Sequence, residues 1–221
     1  MTELFISTFI TFFVVIDPLG IAPIFAVMTD GASRKFKRRM VFKSVLTGAV
    51  ILMFFAFLGN ALLSALGISM DAFKAAGGFL LFMIALEMVF EKRTERRKKN
   101  TKEFIHPHEE HPVPTDETDK EYDDISVFPM AIPFIAGPGS IATIMLLMSQ
   151  YANEVQVQGL VIGSMMTALL VTVVILMAAT KIIGMMGPAV ASAITRILGV
   201  LLAAMATQYM FDGIKTAFIG A

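Results

Sequence analysis

The chain has 221 residues, 56% of them hydrophobic, with a mean hydropathy of +0.74 and no net formal charge. Only 16% are Asp, Glu, Lys or Arg, against about 25% in soluble domains, which excludes an ordinary water-soluble globule and points to an integral membrane protein. Cysteine and tryptophan are both absent, so disulfide and thiol chemistry are excluded and any interfacial aromatic belt must be built from Phe and Tyr.

Apolar runs near the ~20 residues that a spanning helix needs fall at 4–28, 44–66, 75–91, 127–150, 158–180 and 197–219. They predict an all-α membrane protein with six transmembrane helices. The first run follows Met-Thr-Glu, with no basic stretch before it and no small-residue cleavage site, so it reads as retained rather than as a signal peptide. Its centre, residues 14–25 (VVIDPLGIAPIF), holds a carboxylate, two prolines and a glycine. Pro18 removes a backbone donor and clashes with the preceding turn. Asp17-Pro18 reads as an N-cap followed by proline at the first helical position. Two half-helices meeting at Asp17 are therefore expected. A carboxylate inside a bilayer costs at least about 2.5 kcal/mol, so Asp17 calls for a partner or a task. It is either a cap alone or the reader of an ammonium group or cation.

The second helix carries one strongly polar residue, Asn60. In the short connection 67–74, Asp71 is the expected cap of the third helix. That helix opens with Ala75-Ala-Gly-Gly, small residues that let helices approach closely. It ends near Glu87, which is expected to snorkel to the membrane surface. Residues 91–125 form a polar insert, basic first and then acidic and proline-containing. It reads as a disordered cytoplasmic linker whose basic half suits anionic headgroups. His106, His108 and His111 beside Glu109 and Glu110 are metal-ligand types. No second cluster closes a coordination sphere, so no metal site is assigned. The fourth helix starts after Ser126 and is interrupted by Pro129, Pro133 and Gly137-Pro-Gly. Gly187-Pro188 is expected to turn the chain between the fifth and sixth helices. Thr207 and Gln208 in the sixth should face the bundle. The 17 methionines read as apolar filler.

The interrupted stretch occurs twice. Shifted by 120 residues, 134–145 (FIAGPGSIATIM) lies under 14–25, with Pro18 on Pro138, Ile21 on Ile141, Ala22 on Ala142 and Ile24 on Ile144. The register continues through Ser44/Ser164, Thr47/Thr167 and Gly67/Gly187. After one extra residue it aligns Gly78 with Gly199, Glu87 with Gln208 and Phe90 with Phe211. The chain thus divides into a first three-helix repeat (1–90), the linker (91–125) and a second repeat (126–221). Three helices per repeat make the two opposite in topology, related by a pseudo-two-fold axis in the membrane plane, with discontinuous helices 1 and 4. Lys and Arg support that count. Six lie between 34 and 43, eight between 92 and 120, and Lys181 and Arg196 flank the turn after helix 5; the other face has only Lys74 and Lys215. By the positive-inside rule both termini lie outside and 91–125 is cytoplasmic.

Each interruption exposes backbone groups that lipid cannot satisfy, so they must face protein or a cavity. Half-helices starting at Pro18 and Pro138 offer positive dipole ends to an anionic group. Those ending there offer carbonyls, around 14–16 and 134–136, to a cation. A small zwitterion suits both at once. The candidate substrate-binding residues are Asp17, Pro18, Gly20, Gly137, Pro138, Gly139 and Ser140. Asn60, Thr180 and Gln208 are candidate ion-binding or supporting polar groups. Soluble-enzyme signatures such as a phosphate-binding glycine loop, H-E-x-x-H or G-x-S-x-G are absent. No enzyme activity and no cofactor is expected beyond a possible coupling ion, Na+ or H+.

DPLGIAPIF together with AIPFIAGPGSIATI and MATQYMFDGI resembles the MarC-related membrane proteins, also described as the neutral amino acid transporter family. The resemblance covers nearly the whole chain outside 91–125. It implies a six-helix inner-membrane protein that moves small neutral amino acids such as glycine or alanine. The family's two signatures fall on Asp17, Pro18, Gly20 and Pro23, and on Pro133, Gly137, Pro138 and Gly139. The partners implied are the lipid bilayer and a small zwitterionic solute; no nucleic acid is expected, and a homo-oligomer is left open. Two other readings stay open: a membrane scaffold or signalling protein acting through the insert, and an exporter of small solutes or drugs.

Overall fold

The structure, a computed structural model, describes residues 1–93, 95, 97 and 124–219. The start of the insert departs from the expected disorder, since Lys92, Arg93, Glu95 and Arg97 are helical and Arg97 is buried; the histidine and glutamate tract lies outside the described residues. Among those residues the chain forms helices α1 (Thr2–Ile16), α2 (Pro18–Met28), α3 (Arg34–Ala65), α4 (Met70–Val89), α5 (Ser126–Ile135), α6 (Pro138–Gln150), α7 (Val155–Met177) and α8 (Ala179–Ile219), with no strand between them. Five stretches are long and apolar enough to cross a membrane: Thr2–Met28, Arg34–Ala65, Met70–Val89, Val155–Met177 and Ala189–Phe218. A sixth is obtained if α5 and α6, bent by 54° at their junction, are taken as one span.

Local chemistry sets the boundaries. Ser33 and Ser69 cap α3 and α4 by accepting from the amides of Phe36 and Ala72. Asp71 was the expected cap, but it lies in the first turn of α4, where its charge favours the positive end of the helix. α3 has 32 residues, about 48 Å at 1.5 Å per residue, and a hydrocarbon core is about 30 Å. Its basic first turns therefore extend beyond the apolar layer. In α5, Phe128 and Ile132 are extended (φ −120°, ψ 131° and φ −119°, ψ 124°). Each precedes a proline, whose ring disfavours helical geometry in the residue before it, so α5 is kinked at these residues rather than continuously helical. The turn expected at Gly187-Pro188 is not made there. The break after α7 falls at Ala178, and α8 is helical through both residues.

Packing runs mostly between the halves. α4 packs most extensively on α8, α1 on α7, and α3 on α5; α2 also meets α7 and α8, and α6 meets α3 and α4. Within the second half α6 touches α7 and α7 touches α8. The α4–α8 contact is reciprocal. A Cβ on Gly78 would stand 2.8 Å from the carbonyl oxygen of Ala206 and from Met210. One on Gly199 would stand 2.8 Å from Met88 Cβ and 3.1 Å from Ala85 O and Val89. Close backbone approach through small residues is how helices associate where water cannot drive them together. Outward-facing Leu46, Val50, Phe54 and Phe57 of α3, and Leu170 and Val174 of α7, are exposed, as a lipid-facing surface requires. Buried hydroxyls of Ser44, Thr143 and Thr172 donate to carbonyls four residues back in their own helices. No buried side-chain nitrogen or oxygen among the described residues lacks a hydrogen bond.

At the polar end, Lys43 of α3 holds Asp124, just before α5, at 2.7 Å. That bond, then the Ser126 hydroxyl, pulls the Asp124 carboxyl down to about 2. A carboxylate lowered by folding stabilises above its unfolded value, about 3.9, and loses that contribution as pH falls through about 2. Both partners are largely solvent-exposed, so the effect is small. Asp124→Asn should lower the Tm in detergent slightly at pH 6, with the difference shrinking below about pH 4. Packing gives a sharper contrast. Gly78→Ala should cost about 1–3 kcal/mol by overpacking against a backbone oxygen. Gly159→Ala in α7, where the added carbon meets nothing within 4 Å, should be neutral or stabilising by up to about 1 kcal/mol. Thermal unfolding of the two purified variants checks both.

Candidate functional site

The site is built where α1 stops. Asp17 takes a left-handed conformation (φ 55°, ψ 61°), and its amide donates to Phe13 O, which ends α1. Pro18 follows at the first position of α2, and Asp17 Oδ1 accepts from the Gly20 amide at 3.1 Å. Asp17 is thus the cap of α2, 1% exposed. The interruption is one residue long, and α1 with α2 makes a single 27-residue span. The second interruption is of another kind, the bent junction at Ala136 and Gly137, where a Cβ on Gly137 would stand 2.4 Å from Pro133 O.

Asp17 has a cation. Arg97 Nη1 lies 2.8 Å from Asp17 Oδ2, and its Nη2 donates to Ile16 O at 3.3 Å. Arg93 Nη2 donates to Val15 O at 2.7 Å. The Thr195 hydroxyl of α8 donates to Asp17 Oδ1 at 3.2 Å. Arg97 also lies over the Phe134 ring, 5.5 Å from its centroid, so one guanidinium touches residues beside both interruptions. Gly20 leaves room for it: a Cβ there would stand 2.2 Å from Asp17 Oδ2 and 3.0 Å from Arg97 Nη1. The arginines are aimed by Glu91, a non-glycine residue at φ 63°, which redirects the chain after Phe90. Its carboxylate accepts from Ser192 and pairs with Arg196 of α8. Lys92, Arg93, Glu95 and Arg97 are then helical, so Arg93 and Arg97, four apart, share a face.

Beside this cluster is a cavity of about 420 Å³, lined by Leu80, Met83, Ile84 and Glu87 of α4, by Arg93 and Arg97, and by 133–134 and 137–140. The lining therefore includes Gly137, Pro138, Gly139 and Ser140. Gly139 also brings the halves together, since a Cβ there would stand 2.6 Å from Ile84 and 3.1 Å from Val15. Asp17, Pro18 and Gly20 are buried behind Arg97 and do not line the cavity. Glu87, expected at the surface, is half-buried and faces the cavity. Asn60 is half-buried in α3 and takes no part in the lining. Gln208 donates to Asp212 of its own helix on an exposed face. The Thr180 side chain lies outside the described residues. The sequence reading did not single out Arg93, Arg97 or Thr195. The available signal was an i, i+4 arginine pair directly after a span in a chain with an unpartnered intramembrane carboxylate.

The MarC family integral membrane protein model matches residues 2–218. The chain belongs to the MarC family. It is 33% identical over 217 residues to UPF0056 membrane protein MJ1677 of Methanocaldococcus jannaschii, covering 98% of both chains. It is 32% identical to UPF0056 membrane protein PH0760 of Pyrococcus horikoshii, over 93% of this chain and 92% of the relative. A UPF0056 membrane protein of Buchnera aphidicola is 30% identical over 96% of this chain and 97% of its own. No solved structure matches. Family membership makes the chain an integral, multi-pass membrane protein.

A buried ion pair broken on one side leaves an uncompensated charge, at a cost of about 3–5 kcal/mol. Arg97→Met should therefore destabilise by that order, and Asp17→Asn in the same chain should recover a large part of it. A double-mutant cycle from thermal unfolding in detergent measures the coupling.

Proposed function

We propose that this protein is a secondary transporter of small neutral amino acids, of the glycine and alanine class, bound in the cavity at the start of α6. The observation that carries the reading is the cavity that puts the start of α6, at Pro138–Ser140, opposite Glu87 and the arginines. The N-terminus of α6 and the guanidinium groups suit a carboxylate, and Glu87 suits an ammonium group. The volume, about 420 Å³, admits a small solute. The relatives' names carry no substrate, so the choice of amino acid rests on this chemistry and on the family resemblance.

In this reading 1–90 and 126–221 are inverted repeats of three helices, with the chain crossing the inner membrane six times. Both termini are outside and 91–125 is cytoplasmic. The pattern of packing supports it. Under the 120-residue shift, α1 on α7 becomes α5 on α3, α2 on α8 becomes α6 on α4, and α2 on α7 becomes α6 on α3; all of these pairs are in contact. Under the 121-residue shift that follows the extra residue, Gly78 against Ala206 and Met210 becomes Gly199 against Ala85 and Val89. A pseudo-two-fold axis produces that reciprocity.

Counterflow of labelled glycine or alanine into proteoliposomes tests the proposal. Saturable exchange that is lost in Asp17→Ala and in Pro138→Leu is expected; no exchange of any small zwitterion would overturn it. Deleting 101–122, which spares Arg93 and Arg97, should leave exchange intact. Its loss on that deletion would favour a protein acting through its insert.

A further inference from the structure

Five oxygens converge where α1 ends: Val15 O, Ile16 O, both Asp17 carboxylate oxygens and Thr195 Oγ1. Two of them are carbonyls from the last turn of α1, which has no further amide to bond them within the helix. They stand at the negative end of that helix's dipole. Oxygen ligands with one carboxylate, at a helix C-terminus inside a membrane, match the chemistry of a small hard cation or an ammonium group. Asp17, Thr195 and Arg97 are all at most 5% exposed.

In this structure guanidinium groups take that place. Arg97 bridges Asp17 and Ile16 O, and Arg93 takes Val15 O. The same two side chains line the 420 Å³ cavity, while Asp17 does not. Arg97 therefore touches both the cavity and the carboxylate, and without it Asp17 Oδ2 and Ile16 O lose the cation that now holds them. A guanidinium on a covalent tether competes with a free cation for the same oxygens, and the apparent affinity of the free cation is reduced by the fraction of time the site is open.

We propose that the end of α1, with Asp17 and Thr195, is a binding site for a small monovalent cation, a primary ammonium or sodium, and that Arg97 is its resident competitor. Cation bound and Arg97 bound are alternative states of one site. The proposal deepens the transport reading, which would make the cation a substrate's amino group or its coupling ion; binding itself does not depend on transport.

The test is cation-dependent thermal unfolding of the full chain in detergent. Sodium chloride and methylammonium chloride are titrated separately, and choline chloride, too bulky for the site, is the ionic-strength control. If Arg97 holds the site nine-tenths of the time or more, its removal should tighten the apparent affinity roughly tenfold or more. Arg97→Gln should then show a saturable rise in Tm with sodium or methylammonium at concentrations that barely move the natural chain. Adding Asp17→Asn should abolish the rise, and Asp124→Asn should leave it unchanged. The natural chain, titrated to roughly tenfold higher sodium or methylammonium or more, should show the same saturable rise and covers the case in which Arg97→Gln does not fold. The sodium and methylammonium arms tell a coupling ion from a substrate amine. Folded variants with no cation-specific rise, or with a rise equal to that in choline, would overturn the proposal and leave the Arg97–Asp17 pair a fixed strut. Glycine counterflow without a cation-specific Tm shift would sink this inference alone; the reverse result would sink only the transport reading.

Discussion

A carboxylate sealed inside an apolar bundle must have a cation, and much of what is distinctive here follows from that requirement. Asp17 is 1% exposed, and an ion of that kind left alone in a low-dielectric interior is costly enough to reorganise its surroundings. Arg97 answers it at 2.8 Å, with Thr195 and the Gly20 amide completing the oxygens' bonds. Several otherwise odd residues then acquire reasons. Gly20 has no side chain because Arg97 and the Asp17 carboxylate fill that space. Glu91 takes a positive φ because the chain must double back from α4 to deliver the arginines. Arg196 and Ser192 hold Glu91 where that turn needs it.

The fold around this ion pair is interlocked. Its extensive contacts pair each helix of one half with helices of the other, chiefly α4 with α8, α1 with α7 and α3 with α5. A half taken alone would leave the close-approach surfaces of Gly78 or Gly199 without a partner. In lipid, where apolar burial does not drive association, lost helix-to-helix packing is not regained by collapse. The two halves therefore fold as one body around a shared seam. The interruptions at Asp17 and Gly137 sit close to that seam, since Val15 on one side meets Gly139 on the other.

Much of the architecture was legible because it rests on rules that act locally or by composition. Apolar run lengths located the spans, and Asp17-Pro18 and Gly137-Pro138 located the helix starts, because capping and proline geometry need no tertiary context. The kinked path of α5 was half legible: Pro129 and Pro133 announced an irregular helix but not its extended residues. Asp71 lost the cap to Ser69, two equally good candidates two residues apart. The arginines were hidden for a more basic reason. Positive-inside bias puts Lys and Arg after a span in any case, so Arg93 and Arg97 looked like part of a topological signal. The repeat offered no help either, because their shifted positions are Ile214 and Phe218.

The asymmetry between the repeats has a consequence for the electrostatics. Asp17 falls on Gly137, Glu87 on Gln208, and the arginines on apolar residues, so the ionisable groups around the cavity come from the first half and the segment after it. The second half supplies the start of α6, the glycines beside it and the Thr195 hydroxyl. Ionisable groups drawn from one half of the chain give the site a built-in polarity. Two carboxylates and two guanidinium groups also balance formally, so the resident groups carry no net charge inside the protein, and an uncompensated charge there is the cost that the Asp17–Arg97 pair avoids.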